Sequence, residues 1–147
     1  MLKNSDELNG MREAGKLAAE VLEMITDYVK PGISTGELDE ICFKYITDVQ
    51  KAIPANVGYR GFKKTLCTSI NQVICHGIPD TNRILKSGDI MNIDVTVIKD
   101  GWHGDTSKMF LIGKAQSHNE RLVRVTQECL YKGIEAAKPG ARLGDIG

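Results

Sequence analysis

The chain has 147 residues, 41% of them hydrophobic, and 19 basic side chains balance 19 acidic ones. That length and composition suit one domain with a sizeable core, and zero net charge excludes a general attraction to nucleic acid or an anionic membrane. No stretch approaches transmembrane length, the start of the chain lacks an apolar signal-peptide core, and Cys42, Cys67, Cys75 and Cys129 are widely spaced with no Cys-x-x-Cys, which fits a reducing cytoplasm rather than a zinc knuckle or disulfide scaffold.

Asn4, with Glu7 three residues on, is a capping-box start for a first helix. Leu8, Met11, Ala18, Leu22, Ile25 and Val29 recur along it at helical spacing, and Lys30-Pro31-Gly32 stops it. A second capping box, Ser34-Thr35-Gly36-Glu37, opens a helix whose expected buried stripe is Leu38, Ile41, Cys42, Tyr45 and Val49. Met11 and Met24 are expected core filler rather than ligands. Residues 52–64 break the pattern: Pro54, Gly58 and Gly61 mark a loop, and Tyr59 and Phe62 are its aromatic residues. Such a pair is either a local packing lid or the wall of a pocket for an apolar side chain. Residues 65–70 read as a strand, Asn71-Gln72 as a turn and residues 73–76 as the partner strand, ended by Gly77-Ile78-Pro79. His76 then stands at a strand end, open to solvent or substrate; most single histidines are structural or simply exposed.

After the polar turn Lys86-Ser87-Gly88-Asp89, residues 90–98 alternate. Asn92, Asp94 and Thr96 point one way, and Met91, Ile93, Val95 and Val97 the other. Asp100-Gly101 signals a tight type I′ hairpin, and residues 102–111 return as the antiparallel partner. A two-residue turn pairs Lys99 with Trp102 and Thr96 with Asp105. Asp94 and Asp105 then share a face, diagonally adjacent, with Asn92, His103 and Ser107. A three-residue turn would separate them. Solvated surface aspartates are the plain alternative, but Asp in mid-strand works against β propensity and points to a site. A last helix is expected over residues 119–138, with Leu122, Val125, Leu130, Ile134 and Ala137 inward. It ends in Lys138-Pro139-Gly140-Ala141-Arg142-Leu143-Gly144-Asp145-Ile146, which matches Lys30-Pro31-Gly32-Ile33-Ser34-Thr35-Gly36-Glu37-Leu38 in its Lys-Pro-Gly, later Gly, acid and aliphatic. The repeat suggests a helix–helix–strands unit that begins a second time.

Two close carboxylates with a nearby histidine support three readings. One is a divalent-metal hydrolase, since oxygen ligands hold hard cations that acidify water and polarise carbonyls. A second is a non-haem iron oxygenase through His103-Gly104-Asp105; it needs a further histidine downstream, where only His118 stands. The third is an interaction module that keeps the fold without the chemistry.

Taken together, Val73-Ile74-Cys75-His76-Gly77-Ile78-Pro79, Asn92-Ile93-Asp94-Val95-Thr96, Lys99-Asp100-Gly101, His103-Gly104-Asp105-Thr106-Ser107 and Lys30-Pro31-Gly32-x-Ser34-Thr35-Gly36-Glu37-Leu38-Asp39 resemble the type I methionine aminopeptidase family of the bacterial kind. The resemblance covers essentially the whole chain. It implies an α/β (α+β) architecture, the N-terminal half of the pita-bread (creatinase/aminopeptidase) fold, with an antiparallel sheet flanked by helices. It implies two pseudo-symmetric halves, with residues 1–147 as the first and the second absent. Asp94 would bind one of two divalent ions (Co, Mn, Fe or Zn) and Asp105 would bridge both. His76 would hydrogen-bond the scissile amide nitrogen or its carbonyl. Tyr59, Phe62 and Cys67 would line the methionine side-chain pocket, whose rim differs at Asn56, where bacterial relatives often carry Cys. The family's other three metal ligands, a His and two Glu, and a second catalytic His fall beyond the sequence. The expectation is therefore a cytoplasmic enzyme that removes N-terminal methionine from nascent polypeptides, meets the ribosome, and binds neither membrane nor specific nucleic acid. This chain alone is expected to be inactive, and a catalytically dead pita-bread interaction module is the alternative.

Overall fold

The computed structural model describes residues 4–147, which divide into two compact units, one ending at Lys114 and the other spanning Ala115–Gly147. In the first unit, α1 (Ser5–Ile25) starts on the expected box: the Asn4 side chain accepts from the Glu7 N–H at 2.9 Å, and the Glu7 carboxylate accepts from the Asn4 N–H. It ends at Ile25, and the chain to Val29 continues as hydrogen-bonded turns. α2 (Thr35–Lys44) starts on Ser34 and Glu37 and runs into a π-helical turn, Tyr45–Val49. The wider turn buries Ile46 and leaves Val49 65% exposed, so the inward stripe stops before Val49. Met24 packs against the core as expected, whereas Met11 is exposed.

The sheet is antiparallel and centred on β3 (Ile90–Lys99). β4 (Trp102–Leu111) follows the whole of one edge of β3, with Lys99 opposite Trp102 and Thr96 opposite Asp105, as a two-residue turn requires. Asp100 and Gly101 both hold positive φ, 49° and 84°. β2 (Leu66–Ile70) and the short β1 (Ile53–Pro54) pair with successive parts of the other edge. One face of β3, namely Met91, Ile93, Val95 and Val97, is fully buried against the apolar side of α1, including Leu17, Val21 and Ile25. Gly104 lets β4 lie directly on the α1 backbone, because a Cβ there would collide with the carbonyl of Ala14.

Residues 73–76 are not a strand. The register of the expected hairpin breaks because His76 adopts φ 56°. The chain meets β2 again only at Gly77, whose carbonyl accepts from the Thr68 N–H at 2.7 Å. A Cβ on Gly77 would overlap the Thr68 carbonyl, so only glycine permits this approach.

In the second unit, α3 (Ser117–Ala136) has no buried residue, so the expected inward stripe is uncovered. The repeat recurs in three dimensions. Gly32 and Gly140 have φ 98° and 90°. The Ile33 N–H donates to the Lys30 carbonyl, and the Ala141 N–H donates to that of Lys138. Ser34 N–H to Glu37 and Arg142 N–H to Asp145 are both 2.8 Å carboxylate bonds. Among the described residues no helix is long and apolar enough to cross a membrane.

Candidate metal and substrate site

The face of the sheet opposite the core carries the polar residues. The register sets Cys67 on β2 directly across from Asp94, Asp94 across from Ser107, and Thr96 across from Asp105. Asp94 and Asp105 therefore project from one face, close enough for a carboxyl–carboxyl hydrogen bond. Asp94 is half-buried and its pKa is raised, first by burial, then by the charge of Asp105 and the hydrogen bond with it; nearby His76 opposes the shift. Two like charges in this position favour sharing a proton or a cation.

A cleft of about 590 Å³ opens beside them, lined by Asn56, Tyr59, Phe62, Cys67, His76 and Ile78 among others. Tyr59, Phe62, Cys67 and His76, separated in sequence, thus converge on one cavity. Tyr59 is 65% exposed at the rim and Phe62 is half-buried. Asn56 ties the aromatic loop to the strand, donating to the Thr65 carbonyl at 3.0 Å. Burial pushes the Cys67 thiol up to about 11, with Asp94 adding to the shift. Without a metal, Cys67 is therefore a neutral wall of the cleft rather than a thiolate nucleophile.

Asp39 was legible only as part of a motif, yet it fixes the cleft from behind. Its Oδ1 accepts from the N–H groups of Thr65 and Leu66 at 2.7 and 3.0 Å, and Lys64 lies 3.7 Å from Oδ2. This pins the entry to β2 at the two residues just before Cys67. The signal available in the sequence was an Asp on the apolar side of an amphipathic helix.

Asp94 and Asp105 fit as two hard oxygen donors for a divalent cation, whose charge would offset their mutual repulsion. Among the described residues no three His, Cys, Asp or Glu side chains converge as a metal-binding set. His103 shares the face with Asp105 but is exposed, two residues nearer the turn and opposite Ile98.

The profile of metallopeptidase family M24 matches residues 9–147. The methionine aminopeptidase of Salmonella typhimurium is 62% identical over 99% of this chain and 55% of its own length. Among solved structures, methionine aminopeptidase from Rickettsia prowazekii superposes with a TM-score of 0.93 at 53% identity, covering 99% of this chain and 59% of that one. The Thermotoga maritima enzyme gives 0.94 at 34% identity, covering 99% and 58%. The chain spans about half the length of the curated relatives it matches.

Proposed function

The chain belongs to metallopeptidase family M24 and has its pita-bread α+β fold, and from that premise we propose that it is the first half of a methionine aminopeptidase domain. The observation that carries this reading is the Asp94/Asp105 pair on one sheet face, beside the cleft that gathers Tyr59, Phe62, Cys67 and His76. Asp94 and Asp105 would hold two divalent ions together with three ligands from a second half. Bound ions of this kind acidify a water molecule and polarise the scissile carbonyl. The cleft, walled by Tyr59, Phe62 and Cys67, takes the unbranched apolar side chain of an N-terminal methionine and excludes water around it. His76 donates a hydrogen bond to the scissile amide or its oxygen as the carbonyl carbon becomes tetrahedral. The substrates are nascent polypeptides with small second residues, met in the cytoplasm near the ribosome.

The experiment is hydrolysis of a Met-Ala-Ser peptide with Co²⁺ or Mn²⁺, using this chain joined to a second half like that of its relatives. Release of free methionine is expected. No turnover with any divalent metal would favour the second reading, a binding module that keeps the fold without the chemistry.

A further inference from the structure

The loop that begins at His76 is tied at its next residue, Gly77, and again at Asp80 by buried hydroxyls that the chemistry above does not use. On the downstream side stands Thr35, at the N-terminus of α2 and 1% exposed. Its Oγ1 donates to the Asp80 carbonyl at 3.1 Å and accepts from the Asp80 N–H at 3.0 Å. The Gly36 N–H also donates to the Asp80 carbonyl, and the Thr35 N–H to that of Arg83. A Cβ on Gly36 would strike Thr81, so helix and loop are interlocked. On the near side stands Ser69, 4% exposed, whose Oγ accepts from the Gly77 N–H at 3.2 Å. Between these anchors the chain is short and stiffened by buried Pro79. His76 itself holds a left-handed conformation, φ 56°, which a non-glycine residue keeps only where its surroundings impose it.

We propose that Thr35 and Ser69 are positioning residues for His76: their hydroxyls hold the 76–80 segment in the one backbone conformation that presents the imidazole to the cleft. The catalytic consequence rests on the function proposed above; the clamp does not. It also gives the Ser-Thr-Gly-Glu motif a second role, since the residues that begin α2 also fix the histidine loop.

Hydrogen–deuterium exchange on this chain tests the clamp, and kinetics in the protein joined to its second half test the consequence. Thr35→Val and Ser69→Ala should each speed exchange of amides in 76–80 about tenfold, the size of one net hydrogen bond. Thr35→Ser, which keeps the hydroxyl, should exchange like the parent. With Met-Ala-Ser, Thr35→Val and Ser69→Ala should each lower kcat about tenfold with a smaller change in KM, because the aromatic and Cys67 walls of the cleft lie outside the loosened segment, and Thr35→Ser should keep the parent kcat. Unchanged exchange in both variants overturns the proposal. So does a loosened loop with unchanged kcat, or loss through KM alone. If the parent protein shows no turnover, the functional reading fails and exchange still decides the clamp.

Discussion

Asp94 and Asp105 meet because strict alternation in β3 and a two-residue Asp100-Gly101 turn leave no other register. The aspartate pair has a consequence for stability. Burial and the neighbouring Asp105 raise the Asp94 pKa above its ordinary 3.8. The folded state therefore binds that proton more tightly than the unfolded chain. The resulting stabilisation is full below 3.8 and is lost as pH rises through the raised value. At neutral pH the metal-free pair is a cost. Asp94→Asn should accordingly raise the Tm of the metal-free chain by a few degrees at pH 7 and change it little near pH 4. Scanning calorimetry at the two pH values checks this; a lower Tm at pH 7 would contradict it. The aspartates were legible in the sequence because period-two alternation plus an Asp-Gly turn determines faces. His76 was legible as a residue but not as a conformation. Its left-handed φ depends on contacts from Thr68, Ser69 and, through Asp80, Thr35, and those are tertiary.

Two elements place the cleft, and both depend on buried polar anchors. β2 begins where the Asp39 carboxylate collects two backbone N–H groups. Burial raises the Asp39 pKa even though those bonds and Lys64 lower it, and the anchor's direct contacts with β2 are the two N–H bonds it accepts. Asp39→Ala would leave the Thr65 and Leu66 N–H groups unpaired and should cost about 2–3 kcal/mol in urea unfolding. Asp39→Asn keeps an oxygen acceptor and should cost much less. Equal losses in the two variants would show that the charge, not the acceptor, matters. The helices and the β3–β4 hairpin followed from capping boxes, periodicity and turn chemistry. Residues 73–76 did not, because Gly77 docks on Thr68 and draws the chain off the hairpin register. Val49 also escaped, since a π-helical turn rotates the stripe by a step that no local signal announces.

For the chain as a whole, the repeated Lys-Pro-Gly turn and its carboxylate-capped successor show one local design used twice. In its first use, the preceding helix α1 buries an apolar stripe against the sheet. In its second, Leu122, Leu130 and Ile134 of α3 are exposed. Among the described residues the outer edge of β4 is also unpaired. Open edges and exposed apolar stripes favour association with further chain. The site follows the same logic: two carboxylates leave most coordination positions of a hard ion to water. On the function proposed above, Asp94 and Asp105 are metal ligands that form a competent site only together with donors from a second half. Isothermal titration of Mn²⁺ into the 147-residue chain tests it most directly. Weak binding is expected, with a Kd of about 0.1 mM or weaker, abolished by Asp94→Asn. Tight binding of two ions, or binding indifferent to that substitution, would contradict it.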